Sequence, residues 1–161
     1  MAVFIRLAAS WLISSEKFFS GINFVDNLKL RASFGKVGND DIGNYTARQY
    51  YVSQNLINME GVVRGNIGNP ALEWETEDQL DFGVDAYLFK ERMSFSVDYF
   101  HNKKYNVITI DPTATETGID QVITNSGTMG NNGINLTVNA RIINSKFKWD
   151  LGINMGTYTN K

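Results

Sequence analysis

Cysteine is absent from the 161 residues. That excludes disulfides and thiolate metal sites, and it leaves the compartment open, since envelope and cytosolic proteins both tolerate it. Histidine occurs once, at His101, so no metal site or catalytic triad can draw on two of them. Long apolar runs are also missing. A membrane helix needs roughly 20 consecutive apolar residues, and the run LAASWLI at residues 7–13 is far shorter and broken by Ser10. The net charge is −2, with Lys and Arg scattered rather than clustered, so no nucleic acid partner is expected.

What is present argues for order. Hydrophobic residues make up 43% and aromatics 12% of the chain, too much for a disordered segment. The organising stretch is QLDFGVDAYLFKERMSFSVDYF, residues 79–100. Leu80, Phe82, Val84 and Ala86 alternate with Asp81, Gly83 and Asp85, and Phe95, Val97 and Tyr99 alternate with Ser94, Ser96 and Asp98. Period two is the strand period, and the short charged segment Lys90-Glu91-Arg92 folds the halves into an antiparallel hairpin.

The same alternation predicts six strands, over residues 3–13, 27–35, 74–88, 92–105, 129–143 and 147–157. A compact connection follows the first, with Ser15 as the cap of a short helical turn. Residues 36–70, rich in Gly, Asn and Asp, read as a long loop with room for short hairpin pieces, and residues 106–126 read as a second loop. Long strands with compact turns at one end and long loops at the other are the asymmetry of outer-membrane barrels, whose low mean hydropathy reflects lipid contact at every second residue only. The fold class is therefore all-β, an antiparallel meander of about six long strands.

Longer strings carry a family resemblance. AASWLISSEKFF (residues 8–19), NFVDNLKLRASFGKVGNDDIGNY (23–45), NPALEWETEDQLDFGVDAYLFKERMSFSVDYFHNKKYNVI (69–108) and NSGTMGNNGINLTVNARII (125–143) resemble TonB-linked outer-membrane proteins of the SusC/RagA type. The resemblance implies a partial segment of a transmembrane barrel of about 22 strands, in the outer membrane of a Bacteroidetes-type bacterium. It implies nutrient import, of glycan or peptide, with partners in outer-membrane lipid, a SusD-like surface lipoprotein and TonB, the last through N-terminal parts outside this sequence. No cofactor and no enzymatic activity are expected. Residues 1–7 follow the family pattern poorly, and the whole of 1–161 is expected to be partial barrel, without signal peptide, plug or remaining strands.

Candidate residues follow. Asp81, Asp85 and Asp98 share a polar face and resemble a glycosidase carboxylate set, but nothing in their spacing sets the separation an acid and base pair needs. In a barrel they face the lumen, with Asn135 and Asn139. Asn39, Asp40, Asp41 and Asn44 offer oxygen ligands for calcium, yet lack EF-hand order and its closing Glu, so the segment reads as a turn. Tyr45, Tyr50 and Tyr51 sit in the long loop, where aromatic faces with hydroxyls suit sugar rings. Trp11, Tyr87, Phe89, Tyr99, Phe100, Trp149 and Tyr158 lie toward strand ends and in a barrel form the girdles at the lipid headgroups. Two rival readings are a soluble all-β carbohydrate-binding module and a glycoside hydrolase on a β scaffold.

Overall fold

The structure is a computed structural model and describes residues 4–19, 21–39, 41, 43 and 45–161. Eight strands dominate it: β1 Arg6–Leu12, β2 Val25–Asn39, β3 Tyr51–Leu56, β4 Met59–Arg64, β5 Glu75–Leu88, β6 Met93–Pro112, β7 Gln121–Asn144 and β8 Lys148–Asn160. Three single 3-10 turns complete the regular elements, and no α-helix occurs among the described residues. The six long strands make one sheet in the order β1-β2-β5-β6-β7-β8, while β3 and β4 pair with each other. The expected meander is present, and the sheet is open, with β1 and β8 at its edges.

The chain divides into two compact units. The first comprises Met1–Val37, Glu77–Lys103 and Gly130–Lys161. Within it the register stacks apolar residues on one face. Leu7 stands opposite Phe34, Ala9 opposite Ala32 and Trp11 opposite Leu30. On β7 and β8, Leu136 meets Met155, Val138 meets Ile153 and Ala140 meets Leu151. A bulge between Arg141 and Ile143 then brings Trp149 opposite Ile143. Along β5 the apolar row runs from Leu80 to Leu88, about 26 Å at the strand rise, close to the roughly 25 Å apolar band of outer-membrane barrels.

Among the described residues no apolar side chain is buried, and Leu7 and Met155 are 66% and 64% exposed. A soluble sandwich hides such rows against a facing sheet, and that rival reading finds no facing sheet here.

The turn between β5 and β6 is tight and strained. Phe89, Lys90 and Glu91 all have positive φ, at 58°, 60° and 60°, a conformation that costs an L residue roughly 1 kcal/mol or more. The approach to β2 braces it. The Glu91 amide donates to Asp26 Oδ2 at 2.9 Å, the Phe89 amide donates to the Phe24 carbonyl at 2.9 Å, and the two rings lie 6.2 Å apart. After β1, Ser15 is the last residue of a 3-10 turn, Ile13–Ser15, rather than its cap. Trp11 Nε1 donating to Glu16 at 3.0 Å pins that connection instead.

The second unit comprises Gly38–Thr76 and Lys104–Met129, and here the sequence expectation needs correction. Residues 106–126 are not a loop: β6 continues to Pro112 and β7 begins at Gln121, leaving only 113–120 as connection. Thr109 bonds across to Thr124 at 3.1 Å and to Ser126 at 2.6 Å, and Asp111 accepts from the Thr124 hydroxyl. Paired hydroxyls sustain a ladder that composition alone reads as coil. Within residues 36–70, β3 and β4 form the hairpin for which room was left.

The β3–β4 hairpin turns on Ile57 and Asn58, with φ of 46° and 62°, the two-residue geometry that favours Asn-Gly. Ile57→Asn is expected to relieve about 1 kcal/mol of backbone strain. Amide exchange at the β3–β4 pairs should then slow roughly fivefold; unchanged or faster exchange contradicts this.

Candidate functional site

Arg31 on β2 organises the polar face of the first unit. Its Nε donates to Asp85 Oδ2 at 2.7 Å and its Nη2 to Asp85 Oδ1 at 3.1 Å. The same Nη2 reaches Asp98 Oδ1 on β6 at 2.8 Å. This fork crosses β5 only because residue 83 is glycine: a Cβ there would lie 2.6 Å from Asp98 Oδ1 and 2.9 Å from Arg31 Cζ. Ser96 donates to Asp85 at 2.8 Å, and Ser33 donates to Asp81 at 3.1 Å. On the same face Asn139 donates to Ser94 at 3.3 Å, and Arg141 pairs with Asp150 at 2.8 Å.

The structure thus brings Asp81, Asp85, Asp98 and Asn139 onto one face, as the alternation predicts. Asn135 shares it, its Oδ1 lying 2.9 Å from where a Cβ on Gly156 would stand. The carboxylates are not arranged as an acid and base pair. Asp85 and Asp98 are bound to one guanidinium and Asp81 to a hydroxyl, a set of acceptors already engaged. On the opposite face the apolar rows end where Lys36 pairs with Asp78 at 3.2 Å, one step beyond Phe34 and Leu80.

Strand parity corrects the girdle expectation for three aromatics. Phe100 lies two residues from Asp98, and its ring covers Gly133, 2.7 Å from an ideal Cβ there. Tyr158 stands directly opposite Gly133. Tyr87 lines a cavity of about 470 Å³ with Ser94, Asn139, Arg141 and Asp150. All three belong to the polar face, because nearness to a strand end does not decide which way a side chain points. Trp11, Tyr99 and Trp149 stand in the apolar rows.

The second unit holds a separate cavity of about 300 Å³, lined by Tyr45, Thr46, Tyr50, Asn66, Gln121 and apolar neighbours. Arg48 lies over the Tyr45 ring, 5.8 Å from its centroid. Tyr51 is not among the lining residues; its hydroxyl bonds Gln49 Nε2 at 2.8 Å. Asparagines stitch this unit together, a role the sequence reading missed. Asn66 accepts from the Tyr50 amide and donates to the Arg48 carbonyl, both at 2.9 Å. Asn125 accepts from the Glu73 amide at 2.7 Å and donates to the Glu73 and Asn106 carbonyls at 2.9 and 2.8 Å. Side-chain amides standing in for backbone partners are the signal behind the Asn-Gly wealth of these segments.

Of the calcium set, Asp40 and Asn44 lie outside the described residues. Asn39 is engaged otherwise, donating to Glu75 at 3.2 Å and accepting from the Asp41 amide at 3.1 Å. Among the described residues no group of three acidic or histidine side chains is placed to hold a metal ion. Glu75 is held below its ordinary range by the Ile108 amide first, then by the Asn39 amide and the Lys104 charge, against some desolvation. Asp111 is lowered mainly by the Thr124 hydroxyl.

The family model described as TonB dependent receptor-like, beta-barrel, matches residues 3–161. The chain belongs to that family. It is 32% identical over 159 residues to TonB-dependent receptor P3 of Formosa agariphila, covering 96% of this chain and 16% of that protein. It is 27% identical over 165 residues to TonB-dependent receptor SusC of Bacteroides thetaiotaomicron, again covering 16% of the relative. Among solved structures, the RagAB peptide importer in its closed-closed state matches 98% of this chain and 18% of that one, with a TM-score of 0.87 at 26% identity. The chain therefore spans about a sixth of the length of its relatives.

Arg31→Met, which strands two carboxylates, is expected to cost of order 1–2 kcal/mol, because Arg31 and Asp98 are 41% and 40% exposed and water screens the pair. Urea unfolding in detergent measures it, and no shift would contradict the fork's role. For Glu75 the folded value is depressed, so its contribution is complete above the ordinary 4.5 and is lost as pH falls through the lowered value. The protection factor of the Ile108 amide, its exchange rate relative to an unstructured amide at the same pH, should fall as pH drops through that lowered value, and Glu75→Gln should abolish that dependence.

Proposed function

We propose that this chain is a section of wall in an outer-membrane nutrient importer driven through TonB. The observation that carries the proposal is an open sheet whose paired strands stack apolar residues on one face, with no apolar side chain buried among the described residues. Water offers that face no partner and lipid does, and family membership adds that TonB-dependent receptor barrels reside in the outer membrane. The opposite face, with Asp81, Asp85, Asp98, Asn135 and Asn139, lines the water-filled lumen. Tyr45 and Tyr50, across the cavity of the second unit, and Tyr51 beside them contact the incoming substrate.

In this role the wall performs no chemistry. Its carboxylates hold Arg31 and keep the strands in register. Likeness to the RagAB peptide importer supports peptide as a cargo class, while glycan cargo and a SusD-like surface lipoprotein partner rest on the SusC/RagA resemblance. The decisive test is the protein's need for lipid. Expressed in a Gram-negative host, the chain is expected to fractionate with membranes and to require detergent for extraction. A monodisperse monomer in plain buffer would falsify the wall reading and favour a soluble binding module.

A further inference from the structure

The apolar rows of the first unit end in two different ways. At one end Lys36 is paired with Asp78 at 3.2 Å. At the other, where short connections join the strands, the row of β5 stops at Leu88 and Phe89 opens the turn into β6. An open cavity of about 580 Å³ lies there, lined by Asn23, Phe24, Phe89, Lys90 and Arg92. All five residues belong to the first unit.

Two features set this cavity apart from an ordinary solvated turn. The first is its charge. Among the described residues neither the Lys90 ammonium nor the Arg92 guanidinium has an ion-pair partner. The carboxylates nearest in sequence are placed elsewhere. Glu91 lines the polar-face cavity, which Lys90 and Arg92 also border, and Asp26 Oδ2 accepts from the Glu91 amide at 2.9 Å. The lining therefore holds two cations, one amide and no anion.

The second feature is a pair of rings kept at the surface. Phe24 and Phe89 are 56% and 55% exposed, with centroids 6.2 Å apart. Residues 89–91 all have positive φ, a strain that persists only where surrounding contacts over-determine it. The Phe89 amide, donating to the Phe24 carbonyl at 2.9 Å, is one such contact. The turn is thus fixed in a form that sets two rings beside two unpaired cations, at the end of an apolar row.

We infer that this cavity binds one anionic glycerophospholipid, its phosphate between Lys90 and Arg92 and its glycerol end against Phe24 and Phe89. Guanidinium and ammonium groups are the usual phosphate partners, and basic pockets beside membrane-spanning segments take anionic headgroups. Aromatic rings settle at headgroup depth. From there the acyl chains continue along the row that ends at Leu88. A free phosphate would answer the cations and leave the rings in water, whereas a lipid answers both. The inference rests on the reading that the apolar face meets lipid, so its test separates the two.

The chain, extracted in nonionic detergent and washed free of host lipid, is titrated with phosphatidylglycerol, with phosphatidylcholine of the same acyl chains, or with glycerol 3-phosphate. Native mass spectrometry reads the first molecule bound. Phosphatidylglycerol is expected to bind about fivefold or more tighter than phosphatidylcholine, and glycerol 3-phosphate not to bind at the same concentrations. Lys90→Gln with Arg92→Gln should bring the two lipids within about twofold. Lys146→Gln with Lys148→Gln, which removes the same charge where β7 turns into β8 at the same end of the sheet, should leave the preference intact. Circular dichroism checks that each variant keeps its strands. Should the first pair lose them, the single variants Lys90→Gln and Arg92→Gln carry the test, each reducing the preference.

Equal affinity for the two lipids, or a preference that survives the loss of Lys90 and Arg92, overturns the site and leaves the wall reading standing, since the chain still needed detergent. So does a preference lost equally with Lys146 and Lys148, which would make it a property of rim charge in general. Glycerol 3-phosphate binding as tightly as the lipid assigns the cations to a soluble phosphate and overturns the lipid. A monodisperse monomer without detergent overturns the proposed function and the lipid site together.

Discussion

An apolar sheet face with no buried side chain among the described residues constrains everything else in this molecule. A globular protein of this size would fold such rows against a second layer. Here Leu7, Phe34, Val138 and Met155 stand on a face of the first unit, and among the described residues no apolar side chain is buried. The six-stranded sheet satisfies its backbone strand to strand, which is the condition lipid imposes. β1 and β8 form its two edges, the places where a sheet can add a further strand.

On the other face the organising element is glycine. Gly35, Gly83 and Gly133 are the buried residues of the described chain, and each lies beneath a long side chain from the next strand: Arg6, Arg31 and Phe100. Without a Cβ, the sheet lets these side chains lie down rather than stand into the solvent. The Arg31 fork ties three strands through one guanidinium. The β7–β8 side lays Asn over Gly in the same way.

How much was legible depends on the signal that each region carries. Strict alternation in residues 79–100 and 134–142 made the strands, their faces and the turn at Lys90 plain. The stretch from 106 to 126 reads as loop in sequence because Thr, Ser and Asn serve turns and hydroxyl-paired strands equally well, and only the partner strand tells them apart. Tyr87, Phe100 and Tyr158 were placed in the girdles by closeness to strand ends, whereas parity sets them on the polar face. The stitching by Asn66 and Asn125 left no mark beyond a richness in asparagine, since their partners are backbone groups up to 52 residues away.

The sequence by itself determined the strand class, the two-faced alternation and the family, because period-two patterning and long shared strings are local properties that survive without coordinates. Only the tertiary structure decided that the apolar face has no buried side chain among the described residues, that Arg31 reaches two aspartates through the gap at Gly83, and that asparagines lie across glycines on β7 and β8. These are matters of register between strands, and register is a relation between distant residues that no single stretch of chain contains.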